Sequence, residues 1–356
     1  MKPTYLVNVQ ILRFFAAALV VFAHVGVEVG NVAARTGRVF EEIGLIDWGL
    51  GVDVFFIISG FIMYYMMHDR FGAPGAPVDF LRRRLIRIVP LYWICTTLML
   101  ASLVAAPQLI NNNGLDLKHV VASYTFIPWP RADGELFPIL SLGWTLNYEM
   151  LFYAIFALVL LLPRRAGLVA LGAAFILLIL TGILVPDRLF MLKFWGNPII
   201  GEFLLGTTIA ALFLDGRRIS GGAAVALVVA GIALAVVFFQ ASAYEHIWRL
   251  VTGGIPAALI VAAAVLGPPL RETWPARALA LGGDASYALY LTHPFTIKLF
   301  GVAGAKVGLP LGAIYVVGLV LTVLVSVAVH LLVEKPIGQW LMRKTSGPKR
   351  AVRAAS

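Results

Sequence analysis

One cysteine, Cys95, is present in 356 residues. That count excludes an internal disulfide and any cysteine-based metal cluster, and no metal site is expected. Packing within an apolar segment is the plain use for such a thiol. Charge is scarce too: Asp, Glu, Lys and Arg make up 13% of the chain, against about 25% in soluble domains. No polar stretch much exceeds thirty residues, which leaves no room for a separate soluble domain. No internal repeat relates two halves of the chain. What fills the sequence instead is apolar residue, 60% of the total, with a mean hydropathy of +0.91.

Ten apolar segments follow one another at 11–29, 48–66, 88–106, 141–162, 167–185, 195–214, 221–239, 250–267, 282–300 and 311–333. Each is near the length that crosses the hydrocarbon core. The expected fold is all-α, a polytopic integral membrane bundle of about ten transmembrane helices. The eighth segment follows Arg249 and carries Gly253, Gly254 and Pro256; the segment from 141 is polar at its start. Residues 11–23 resemble the core of a cleavable signal, with Ala33 and Ala34 as a weak cleavage site. The segment is long for that role, so a retained anchor is expected.

Placing both termini in the cytoplasm puts 18 Lys and Arg in inner segments and 8 in outer ones. That bias favours cytoplasmic N- and C-termini and an even number of spans. The +10 net charge is therefore a topology signal, not evidence for nucleic acid. Residues 1–340 are expected to form the membrane domain, and the basic stretch 341–356 a disordered tail facing anionic lipid.

Ionisable residues inside a bilayer mark functional sites by default, because packing does not require them. Arg13 and His24 are eleven residues apart, so on one helix they lie within roughly 20° of each other and ~16 Å apart along the axis. Arg13 can snorkel to the headgroups. His24 is too deep and too short to do so, and is expected to face protein or an internal cavity. His24, Asp53, Glu149, Glu202 and His293 all fall ~8–12 Å below the outer boundary of their spans. Five helices then share one polar layer, which points to a single buried site. On the cytoplasmic side, Arg84 and Arg87 are three apart on a continuing helix and suit a phosphate clamp, with Arg13 emerging at the same face.

Each of these residues also has a plainer use. His24 suits an interhelical hydrogen bond, and Asp53, in the first turn of its span, suits helix N–H groups and the dipole. Glu202 and His293 suit structural pairing. Arg82, Arg83, Arg84 and Arg87 suit topology and lipid contact, while Trp129 and Trp144 suit the interface.

Five motifs occur in order along nearly the whole chain: Arg13 with His24; Gly51-Val-Asp-Val-Phe-Phe-Ile-Ile-Ser-Gly60; Arg84-Leu-Ile-Arg87-Ile-Val-Pro90; Trp144-Thr-Leu-Asn-Tyr-Glu-Met-Leu-Phe-Tyr153; and Ser286-Tyr-Ala-Leu-Tyr-Leu-Thr-His293. Together they resemble the membrane-bound acyltransferase-3 family, and around Glu149 the sequence is most similar to bacterial exopolysaccharide O-acetyltransferases of the succinoglycan type. The resemblance implies a multi-pass protein of the bacterial inner membrane. It would move an acyl group, usually acetyl, from acyl-CoA to a sugar hydroxyl of a polysaccharide or its lipid-linked precursor. It further implies that Arg13, Arg84 and Arg87 bind the donor and that His24 is essential. The chain ends about twenty residues after the tenth span, so no appended extracytoplasmic hydrolase domain of the kind some relatives carry is expected.

Acyl transfer suits those roles. A hydroxyl is a poor nucleophile at neutral pH, and an imidazole is a fitting base. A carboxylate can orient that imidazole, with Glu149 the first candidate and Asp53 the second. The oxyanion donor is left open among His293, Trp144 and Asn147. Direct transfer and an acyl-enzyme also remain open, as does the oligomeric state. Asn111–Gly114 and Tyr124–Pro130 in the long outer segment are candidates for holding sugar or for capping the bundle mouth. Two other readings compete: a secondary transporter or permease for a glycan or anionic substrate, and a non-catalytic partner in polysaccharide assembly.

Overall fold

The computed structural model describes residues 6–105, 116–131 and 133–345, and among them there is no strand. The helices are α1 (Val7–Arg35), α2 (Leu50–Met67), α3 (Ala76–Ala105), α4 (Leu117–Tyr124), α5 (Trp144–Val159), α6 (Arg164–Leu184), α7 (Phe190–Trp195), α8 (Gly201–Leu214), α9 (Gly221–Gln240), α10 (Ile255–Leu266), α11 (Trp274–Asp284), α12 (Ser286–Lys306), α13 (Leu311–Val329) and α14 (Lys335–Thr345). Eight of the ten expected segments lie in helical stretches long and apolar enough to cross a membrane, so the chain is a polytopic helical membrane bundle. The other two differ. The eighth is shorter, Leu250–Leu266, and opens with a π turn over Leu250–Gly254. The ninth is divided at Ala285: residues 282–284 close α11, and α12 begins at Ser286. Tyr287, Tyr290, Thr292, His293 and Lys298 lower the hydropathy of α12.

Burial sorts the helices into centre and rim. Of their most apolar stretches, 78% is buried in α2, against 22% in α6 and 11% in α9. A helix apolar all round belongs inside, and α2 interrupts its apolar run with Asp53 and Ser59, both buried. The rim helices present Leu177, Leu180, Val225 and Val229, all exposed, as a bilayer requires.

The tightest seam joins α2 to α8. A Cβ on Gly60 would lie 2.0 Å from the carbonyl oxygen of Phe203, and one on Gly206 would lie 1.9 Å from that of Ile57. Only glycine allows both backbones so close. Phe203 then stacks between Phe56 and Phe152, with ring centroids 4.8 and 4.5 Å away.

The start of α1 and the end of α14 define what we call the terminal face of the bundle; the α1–α2 loop marks the distal face. Residues 341–345, expected in a disordered tail, instead complete α14. Arg82 Nη1 donates to the Thr345 carbonyl at 2.7 Å, and Arg343 and Lys344 sit in the last turn, where cations suit the helix dipole. Residues 346–356 and the Asn111–Gly114 stretch lie outside the described residues. The Tyr124–Pro130 stretch follows α4, which covers α3 through the Tyr92 hydroxyl donating to the Ser123 carbonyl at 2.9 Å.

Candidate active site

The five polar groups expected in one layer separate into three clusters. They point in different directions around their helices. The first cluster lines a cavity of about 290 Å³ between α1, α2, α3, α5 and α12. Arg13, Arg84 and Arg87 enter it together with Glu149, which is its one carboxylate. On α5 the lining residues Thr145, Glu149 and Tyr153 are four apart and so share a face. The Tyr153 hydroxyl donates to Glu149 Oε2 at 2.8 Å. Arg13 donates to Gln10 Oε1 at 2.8 Å.

Arg82 and Arg83 do something different from Arg84 and Arg87. Asp79 accepts from Arg82 Nη2 at 2.7 Å and from Arg83 Nε at 3.1 Å, so that carboxylate partners both. Arg84 turns inward, 9% exposed, with Nε buried and lacking a hydrogen-bond partner. Ser59 Oγ and Ser286 Oγ, also on the cavity wall, lack partners too. Three guanidiniums against one carboxylate, beside unfilled donors, make a site that favours an anion with several acceptor oxygens.

The second cluster is a histidine pair. His24 and His293 meet edge to face with ring centroids 4.8 Å apart. Each Nδ1 lies on the carbonyl one turn earlier, Val20 at 2.8 Å and Leu289 at 3.0 Å. A carbonyl only accepts, so each Nδ1 carries a hydrogen, and in the neutral ring the lone pair is then on Nε2. His293 is fully buried and its Nε2 has no partner. His24 was expected to be sealed inside the bundle, but it is exposed. Its exposure is on the inward stripe: Arg13 and Ala17, on the same face of α1, are 7% and 0% exposed. The outward side carries Phe15, 51% exposed and about 180° around the helix from His24. His24 therefore continues the stripe of Arg13 and Ala17 and packs on buried His293, while its other side is exposed, as is Val27 one turn on at 52%.

Tyr290 separates these two clusters. It lines the cavity, its ring centroid is 6.3 Å from that of His293, and its hydroxyl bonds the Leu142 carbonyl at 3.1 Å and Thr145 Oγ1 at 3.0 Å. Glu149 was expected to orient the His24 imidazole; the structure places it in the cavity, and the Val20 carbonyl takes the His24 Nδ1–H instead.

The third cluster holds Asp53 and Glu202, both 0% exposed. Asp53 is clamped by Arg249, Nε to Oδ1 and Nη2 to Oδ2, both at 2.8 Å. Arg249 Nη1 also reaches Asp47 Oδ2 at 2.8 Å. Glu202 lies beside Asp53. A Cβ on Gly253 would stand 2.7 Å from the Asp53 carboxylate, so the glycines after Arg249 make the space for these acids. Asp53 is thus half of a buried ion pair, away from His24. Trp144 packs on Phe56 and Tyr148, and Asn147 is buried with both polar atoms unpartnered. Neither lines the cavity.

The sequence reading missed Arg249, Tyr153 and Tyr290. Their signals were present: an arginine opening a glycine-bearing span, a tyrosine one turn after Glu149, and another three residues before His293.

The chain is thus a membrane-embedded helical bundle that holds a cation-lined cavity and, beyond Tyr290, a histidine pair. The chain belongs to the acyltransferase-3 family, whose profile, described as an acyltransferase domain, matches residues 6–331. It is 37% identical over 314 residues to the exopolysaccharide production protein ExoZ of Rhizobium meliloti, covering 86% of this chain and 93% of that one. It is 25% identical over 371 residues to the O-acetyltransferase OatA of Staphylococcus aureus, covering 94% of this chain and 58% of that one. No solved structure matches the chain.

Proposed function

We propose that this acyltransferase uses acyl-CoA, in the first instance acetyl-CoA, to esterify a hydroxyl of an exported or cell-surface polysaccharide or its lipid-linked precursor. It would do so in the bacterial inner membrane, with the terminal face cytoplasmic. The observation that carries the reading is the charge of the cavity: Arg13, Arg84 and Arg87 meet a single carboxylate, an arrangement suited to the phosphates of CoA. The names of the relatives, one concerned with exopolysaccharide production and one an O-acetyltransferase, support the acceptor and acyl classes.

On this reading the donor enters at the terminal face and its thioester arm points past Tyr290. His24 Nε2 then takes the proton of the sugar hydroxyl as that oxygen bonds to the acyl carbon. The C–S bond breaks, and the sulfur leaves with a proton as free CoA. The main-chain bond at Nδ1 holds the imidazole in the tautomer that a base needs. His293 packs against that ring and fixes its plane.

The test is thiol release from acetyl-CoA by the purified protein, with polysaccharide from the source cells stripped of its esters by alkali as acceptor. Acceptor-dependent release that disappears in His24→Ala is expected. Movement of acceptor across the membrane without thioester consumption would replace this reading with a permease.

A further inference from the structure

The geometry points to an acceptor-binding subsite one to three helical turns beyond His24 on the distal side, formed by Glu28, Asn31 and Arg35 of α1 with Lys298 of α12. The inference rests on the carbohydrate acceptor proposed above and assigns the groups that would hold it. Glu28 is 7% exposed and has no part in the transfer step. Its Oε1 accepts from Arg35 Nη2 at 2.8 Å and its Oε2 from Lys298 Nζ at 3.2 Å. The carboxylate is seated on Gly301, where a Cβ would come 2.8 Å from Glu28 Cγ.

Three observations separate this network from a simple fastening of α1 to α12. Residues 24, 28, 31 and 35 fall within a ~60° arc, so the network continues the stripe that carries His24. That stripe is apolar and buried at Ala17 and Val20, then becomes polar and open: His24, Asn31 and Arg35 are exposed. The two cations are only partly covered, their side chains 48% and 35% exposed for Arg35 and Lys298. Arg35 gives Nη2 to Glu28 and Nε to the Asn31 carbonyl at 3.0 Å, and Lys298 gives one donor to Glu28, so each cation retains further N–H groups on its exposed side. A buried carboxylate holding two half-open cations offers fixed N–H donors to the hydroxyl and ring oxygens of a carbohydrate, and the adjacent turn holds the base.

The test uses the full chain in lipid nanodiscs and fluorescently labelled polysaccharide, stripped of its esters by alkali. Equilibrium binding is measured beside KM values for polysaccharide and acetyl-CoA. Lys298→Met and Arg35→Gln are each expected to raise the Kd and KM for polysaccharide about tenfold, with the KM for acetyl-CoA held within twofold, and Lys298→Arg should recover most of the loss. Unchanged polysaccharide binding in both variants would overturn the subsite. So would an equal rise in both KM values with a lowered Tm, the mark of a purely structural tie. Binding that depends on Lys298 in a protein that releases no CoA would keep the subsite and remove acyl-CoA as donor.

Discussion

Replacing Arg249 with methionine tests whether Asp53 is an ion-pair partner, as its contacts indicate, or a group free to serve the histidine. Asp53 is 0% exposed and accepts two bonds from Arg249, each 2.8 Å long. Removing the cation strands that carboxylate beside Glu202, and breaking a buried pair from one side costs about 3–5 kcal/mol. The bond to Asp47, whose side chain is 28% exposed, adds at most about 1 kcal/mol. Unfolding in detergent micelles, followed by tryptophan fluorescence, should therefore show Arg249→Met to be less stable by about 3 kcal/mol or more. Adding Asp53→Asn removes the orphaned charge and should recover at least half of that loss. The double variant should also retain thiol release that depends on His24, because neither residue lines the cavity. A loss below about 1 kcal/mol, or a double variant no better than the single one, would refute the argument.

Other outcomes follow from the cavity and the histidines. Arg84→Ala removes an inward guanidinium worth about 1.5–3 kcal/mol per charged hydrogen bond, so the KM for acetyl-CoA should rise about ten- to a hundredfold in steady-state thiol-release assays. Tyr290→Ala opens the wall between the cavity and His293; acceptor-independent thiol release, read with acetyl-CoA alone, should increase as water reaches the thioester. Diethyl pyrocarbonate should modify exposed His24 well before sealed His293, a difference that mass spectrometry of early digests will register.

Spacing could be read from the sequence: Arg84 and Arg87, three apart, do share a cavity with Arg13. Direction around each helix could not be read this way. Asp53 is paired with Arg249, almost two hundred residues away in sequence, with Glu202 beside it. Glu149 was assigned to the imidazole because a carboxylate was wanted there; a main-chain carbonyl one turn earlier fills the place, and no side-chain pattern announces it. The break at Ala285 was signalled by Gly282-Gly283-Asp284 just before it, which a hydropathy run from 282 passes over, and the π turn over Leu250–Gly254 leaves no mark in hydropathy alone. The fold class itself was plain, since ten long apolar segments leave a chain few alternatives.

The interlocked glycines of α2 and α8 limit where this protein can yield. With main chains touching at Gly60 and Gly206, neither helix can slide or tilt against the other without collision. The α2–α8 pair therefore behaves as a stator. Any yielding of the cavity wall is left to the other helices that line it, α1, α3, α5 and α12.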